Sequence, residues 1–242
     1  AFGAPPASAG ALHPLAEFCM EGSDRTPVIV SAARTPVGRF LGGLAPLRAP
    51  ELGAIAIRAA LARAGIGAGD IEDVILGNVL QGGVGQAPAR QAAIAGGIPG
   101  TVPAVTVNMV CGSGLKAVML AAQSIRAGDA SAIVAGGMES MSNAPFYAYG
   151  LRNGVKFGDQ TLVDGLIRDG LWCSFSDVHM GGHAEYTAKK AGITRKAQDE
   201  FALDSHRKAV AAQDAGRFTD EIVPVEIAGK KGPTVIGCDE SP

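Results

Sequence analysis

Absences narrow this 242-residue chain before any motif is considered. It has no charge imbalance: 21 Lys plus Arg against 23 Asp plus Glu leave a net charge of −2. There is thus no electrostatic footprint for nucleic acid or an anionic membrane, and a substrate must be recognised locally. It has no paired cysteines. Cys19, Cys111, Cys173 and Cys238 are far apart and form no CxxC, which argues against a zinc knuckle or a disulfide framework and fits a reducing, cytoplasmic compartment. No run approaches the roughly 18 apolar residues that span a bilayer, so no membrane association is expected. The glycine-rich GNVLQGGVGQAPAR, Gly77 to Arg90, has neither GxGxxG nor GxxxxGK[ST] spacing and reads as a packed turn rather than a nucleotide loop. Residues 1–21 contain neither Lys nor Arg and no compact apolar core, unlike a transit or secretion signal. Residues 1–19 read as a disordered extension or an upstream translated segment, with Met20 an ordinary start, and the extension is bounded at residues 1–25.

What is present is an α/β alternation. PVIVSAA, from Pro27, reads as a buried strand; APELGAIAIRAALARAG, Ala49 to Gly65, reads as a helix with Leu52, Ile55, Ala59 and Ala62 on one face and Gly65 as its stop. DVILGNVL, VPAVTVNMV and ASAIVAGG read as further strands, with PARQAAIAG and GLKAVMLAAQSIRAG as helices between them. Short connections between alternating strands and helices predict a layered α/β fold with a mostly parallel sheet. After Gly137 periodicity weakens, then a polar helical stretch runs from Gly182 to Gly216. Residues 26–140 are therefore assigned to a first domain and 141–242 to a loop or lid region laid over it.

The stretch VNMVCGSGLKAVM, Val107 to Met119, places a thiol where a strand becomes a helix. The helix carries Leu115, Val118, Met119, Ala122 and Ile125 on one side, expected to pack on the sheet, and Lys116, Gln123 and Arg126 on the other. Cys111 then sits at the helix N-terminus, where free N–H groups and the macrodipole favour a thiolate, and Gly112 and Gly114 allow close approach of a substrate. The same turn can aim the Cys111 N–H at a developing oxyanion. A buried packing cysteine fits the position equally well, so position alone leaves both roles open. His179 and His183 have i, i+4 spacing, but HMGGH lacks the Glu of HExxH, and no metal is expected.

Six segments in order, SAARTPVGRF at Ser31, GQAPARQAAIAGG at Gly85, NMVCGSGLKAV at Asn108, GDASAIVAGGMESMSNAP at Gly128, DVHMGGHAE at Asp177 and GRFTDEIVPV at Gly216, resemble the thiolase family. The resemblance implies that Cys111 is the acyl-accepting nucleophile. It would take an acyl group from an acyl-CoA thioester and pass it to a second CoA species, condensing two acetyl-CoA to acetoacetyl-CoA plus CoA or running the reverse thiolysis. It further implies that Leu171, His179 and Met180 line the CoA tunnel, and that the HM pair favours short acyl chains. CoA would be substrate and product with no cofactor, and the protein a homo-oligomer, dimer or tetramer. A longer-chain 3-ketoacyl-CoA thiolase and a non-catalytic acyl-CoA or lipid-binding protein are the alternatives.

The resemblance is to the first half of a thiolase. The family's second half carries a catalytic His in GHP and a Cys in CxGxG; here the HP pair is His13-Pro14 and Cys238 lies in IGCDESP. The chain therefore reads as an N-terminal fragment with little turnover alone, short of one strand and half of its core, with apolar surface exposed and poor solubility.

Overall fold

The computed structural model describes residues 25–230 and 232–241. The extension expected over residues 1–25 lies, but for its last residue, outside them. Helix α1, Ala49–Ala64, starts where the Glu51 carboxylate accepts the Arg48 N–H at 2.7 Å and stops at Gly65, whose φ of 65° is the left-handed conformation that ends helices. Strand β1, Asp73–Gly77, follows, then α2, Pro88–Ala95, β2, Ala104–Val107, α3, Ser113–Ala127, and β3, Ile133–Gly137. The three strands form a parallel sheet in the order β2-β1-β3.

Period-two alternation in β1 sends side chains to two cores. Val74 and Leu76 join Ile57 of α1 and Ala89, Ala92 and Ala93 of α2 on one face. Ile75 meets Ala117 and Ala121 of α3 on the other, flanked by Val107, Leu120, Ile133 and Ala135. The result is three layers, α1 and α2, the sheet, and α3, which is the layered parallel α/β fold read from the sequence.

Three expectations need correction. The segment expected as a buried strand from Pro27 forms no ladder, and Val28, Ile29 and Val30 are 73%, 79% and 61% exposed. Among the described residues no strand lies beside it; it is held instead by Ser31 Oγ donating to the Ala60 carbonyl at 2.7 Å and by the Arg63 guanidinium donating to the Ala32 carbonyl at 2.8 Å. On α1 the buried stripe is Ala49, Pro50, Gly53, Ala54 and Ile57, while Leu52, Ile55 and Ala59 are half-buried and Ala62 is exposed. On α3 the sheet takes Ser113, Ala117 and Ala121; Leu115, Val118 and Met119 face outward. The cause is separation. A Cβ on Gly77 would lie 2.6 Å from the Ser113 Cβ and 2.7 Å from the Gly114 nitrogen, and one on Gly137 would lie 3.2 Å from the Gly114 Cα. The side chains of α3 that are fully buried against the sheet are small ones, with Leu120 packed at their margin.

Beyond β3 the chain forms short antiparallel pairs. β4, Phe146–Tyr147, pairs with β5, Val163–Asp164; a π-helical turn, Leu166–Leu171, leads to β6, Trp172–Cys173, which pairs with β7, Val178–His179. Helices α4, Met180–Lys190, and α5, Arg195–Asp214, occupy the polar stretch, and β8, Val225–Ile227, pairs with β9, Thr234–Ile236. The last segment is fastened back to residues 34–43. Arg34 forms two bonds to Asp239, at 2.6 and 3.0 Å, and one to Glu221 at 2.7 Å. Asp239 also accepts the Val37 N–H at 2.7 Å, and Glu240 accepts the N–H groups of Arg39 and Gly43, each at 2.8 Å.

Two outcomes follow from this packing. Gly77→Ala forces a methyl against α3 and is expected to lower unfolding free energy by ~1–3 kcal/mol in urea titration. The bonds from Arg34 hold the Asp239 carboxyl below its ordinary value, and the N–H groups of Gly43 and then Arg39 do the same for Glu240. A depressed carboxylate pKa stabilises the fold fully above its unfolded value and loses that contribution as pH falls through the folded one. The stability gap between wild type and Asp239→Asn is therefore expected to be widest near neutrality and to close below about pH 4, read from urea midpoints across pH.

Candidate active site

The sheet order places β2 and β3 on opposite sides of β1, so the connections out of β1 and β2 run in opposite directions at the carboxyl edge. Such a switch point opens a crevice. Here a cleft of about 330 Å³ is lined by Gly77, Asn78 and Val79 after β1, by Val110, Cys111, Ser113 and Gly114 where β2 meets α3, and by Gly137, Met138 and Glu139 after β3. Cys111 is exposed, one residue before the Gly112 cap of α3.

The turn that presents Cys111 is strained and tightly bonded. Val110 has φ of 49°, a left-handed conformation that costs a β-branched residue about 1–3 kcal/mol. Ser113, 4% exposed, holds it: its Oγ accepts the Met109 N–H at 2.8 Å and donates to the Val110 carbonyl at 2.6 Å. Asn108 Oδ1 accepts the Val110 N–H at 2.9 Å. The chain therefore reverses over Asn108 to Ser113 with the thiol at its outer edge, ahead of the first-turn N–H groups of α3.

Across the cleft, Glu139 fixes the loop after β1. Its carboxylate accepts Asn78 Nδ2 at 2.8 Å and the N–H groups of Val79 and Leu80 at 2.9 and 3.0 Å. Asn78 is buried, and its Oδ1 has no hydrogen-bond partner among the described residues. Neither residue was singled out in the sequence. The polar pair in GGMES and GNVL, directly after two apolar strands, was the available signal, but nothing in the spacing of 61 residues shows that they meet.

The other sequence-predicted residues gather elsewhere. Leu171 ends the π-helical turn and is half-buried, His179 pairs with Trp172 across β6 and β7, and Met180 opens α4. His179 Nδ1 accepts the Gly181 N–H at 3.0 Å as the cap of α4. The three share one hairpin, and none lines the Cys111 cleft. That hairpin approaches the loop after β1, where Gly170 packs on the Leu80 side chain. His183 does not join His179 but bonds Ser176 Oγ through Nε2 at 2.8 Å.

The family model described as "Thiolase, N-terminal domain" matches residues 27–242, and the nucleophile turn just described lies inside the match. The chain belongs to the thiolase family. This thiolase chain is 59% identical over 214 residues to an acetyl-CoA acetyltransferase of Cupriavidus necator, covering 88% of this chain and 54% of that protein. It is 55% identical over 216 residues to an acetyl-CoA acetyltransferase of Pseudomonas aeruginosa, covering 89% of this chain and 55% of that one. With acetyl-CoA acetyltransferase 2 of Arabidopsis thaliana it shares 52% over 218 residues, 89% of this chain and 54% of the relative. The chain thus spans about half the length of the curated relatives it matches. No helix among the described residues is long and apolar enough to cross a membrane.

Removing the Ser113 hydroxyl leaves the Met109 N–H without its acceptor inside a strained turn. Ser113→Ala is expected to cost ~1–3 kcal/mol of unfolding free energy, measured by chemical denaturation.

Proposed function

We propose that a protein carrying this chain is an acetyl-CoA acetyltransferase acting through an acyl-cysteine at Cys111. The observation that carries this reading is the exposed thiol on a bonded turn at the head of α3, facing the cleft at the sheet's carboxyl edge. In condensation the Sγ thiolate attacks the carbonyl carbon of acetyl-CoA, the C–S bond to CoA breaks and CoA leaves with a proton; a second acetyl-CoA then gives up an α-proton to a general base, its α-carbon bonds the acyl carbon, and the C–Sγ bond breaks to release acetoacetyl-CoA. In thiolysis Sγ attacks the 3-keto carbon of a 3-ketoacyl-CoA, the C2–C3 bond breaks, acetyl-CoA leaves after taking a proton at C2, and the acyl group passes from Sγ to the sulfur of free CoA. A thioester to cysteine keeps the acyl group activated between the two halves.

In this reading no resident cofactor takes part; CoA enters as substrate and leaves as product. Leu171, His179 and Met180 flank the path of CoA, and the HM pair narrows the acyl end toward two-carbon groups. The names of the relatives, acetyl-CoA acetyltransferases in bacteria and a plant, support the short-chain reading over the longer-chain and the non-catalytic ones. A homo-oligomer, a cytoplasmic location and a role in lipid metabolism complete the proposal.

Incubating the protein with acetoacetyl-CoA, quenching in acid and mapping peptides by mass is expected to place an acetyl group on Cys111. Cys111→Ser should reduce that adduct to background. An acetyl group retained after the substitution, at whatever residue, overturns the assignment of the nucleophile.

A further inference from the structure

The residue before Cys111 is held in an unfavourable conformation by hydrogen bonds rather than by packing. Val110 takes φ of 49° although its side chain is 53% exposed. Its two flanking peptide groups are both tied. The Val110 N–H donates to Asn108 Oδ1 at 2.9 Å, and the Val110 carbonyl accepts Ser113 Oγ at 2.6 Å and the Ser113 N–H at 3.1 Å. Fixing the N–H on one side and the carbonyl on the other fixes the two dihedrals between them, since each peptide group is a rigid plane. Ser113 is itself anchored. It is 4% exposed, its Oγ also accepts the Met109 N–H at 2.8 Å, and it packs so closely on β1 that a Cβ on Gly77 would lie 2.6 Å from its own.

The peptide group that leads into Cys111 is the one Ser113 holds. In a trans peptide the C=O and N–H point in opposite directions, so drawing the Val110 carbonyl onto Ser113 turns the Cys111 N–H away from it. That N–H and Sγ belong to one residue, and a single tie orients both. The balance is close, because a β-branched residue at positive φ costs about as much as one or two hydrogen bonds contribute net. Losing one hydroxyl is enough to let Val110 relax toward an ordinary φ.

We propose that Ser113 is a positioning residue for Cys111: its hydroxyl sets the direction of the nucleophile's own N–H and the seat of its sulfur, and Asn108 shares the task from the exposed side. The inference rests on the reading of Cys111 as the acyl acceptor. When Sγ attacks a thioester carbonyl, a donor must face the oxygen on which charge develops, and both must be in place together. The Ser113 hydroxyl is engaged by the turn as donor and as acceptor, so it acts through the Val110–Cys111 peptide and not on the acyl group.

The test is single-turnover acetylation of Cys111 from acetoacetyl-CoA, quenched in acid and read by peptide mass, with Ser113→Ala made alone and in a Val110→Gly background. A misplacement of about 1 Å can cost on the order of 100-fold. Ser113→Ala is therefore expected to lower the saturating rate by about 10- to 100-fold, with the half-saturating concentration unchanged within about 2-fold. Glycine adopts positive φ without steric cost, so in the Val110→Gly background the same substitution should cost about 3-fold or less. A serine that only stabilised the fold would shift the urea midpoint and leave the rate of the folded protein unchanged in both backgrounds. Asn108→Ala removes the other tie from an exposed position and should show the same dependence on background; it carries the test if Ser113→Ala does not fold. A loss that is the same in both backgrounds, or no loss, overturns the proposal and leaves the acyl-transfer reading standing. Absence of an acetyl group on Cys111 in the unsubstituted protein overturns both.

Discussion

The distance between α3 and the sheet is the constraint on which this structure turns. Gly77 at the end of β1 and Gly137 at the end of β3 leave no side chain between the strands and the first turn of the helix, and Gly114 meets them from the other side. The helix settles with Ser113, Ala117 and Ala121 against the strands. That close seat brings the N-terminus of α3 to the carboxyl edge of the sheet. The connection from β2 must then reverse within a few residues, which sets Val110 at positive φ and makes Ser113 the tie that holds the turn. The exposure of Cys111 is a consequence of this geometry.

The cleft depends on a second fastening. Glu139, just after β3, gathers Asn78, Val79 and Leu80 after β1 by three hydrogen bonds, so the two strand ends on either side of the crevice are coupled. The hairpin of Leu171, His179 and Met180 reaches this same loop through Gly170 and Leu80. The clamp from Arg34 to Asp239 and Glu221 is separate from it and closes the far end of the described chain onto residues 34–43. Glu139 is held by backbone N–H groups, and in the clamp Asp239 and Glu240 likewise accept backbone N–H groups beside the ion pairs of Arg34.

The close seat also decides what is left outside. With the small face of α3 turned inward, Leu115, Val118 and Met119 form an outward apolar stripe at i, i+3 and i+4, and Val28 to Val30 stand exposed without a ladder. Apolar surface of this kind exceeds what scattered surface residues provide. It belongs to a chain that spans about half the length of its curated relatives.

The sequence by itself determined the succession of strands and helices from α1 to β3, the parallel α/β class and the placing of Cys111 at a strand-to-helix turn, because these rest on local periodicity and on turn chemistry at glycine. It also carried the family, through six motifs whose order no single motif supplies. Tertiary structure alone decided which face of α1 and α3 is buried. Hydrophobicity predicts that the larger apolar side chains go inward, whereas the space between helix and sheet, set by glycines on other elements, fully buries the smaller ones and leaves Leu115, Val118 and Met119 outside. The same holds for Glu139 with Asn78: the pair is made by residues that the fold brings together, and no local pattern records a distance across the fold.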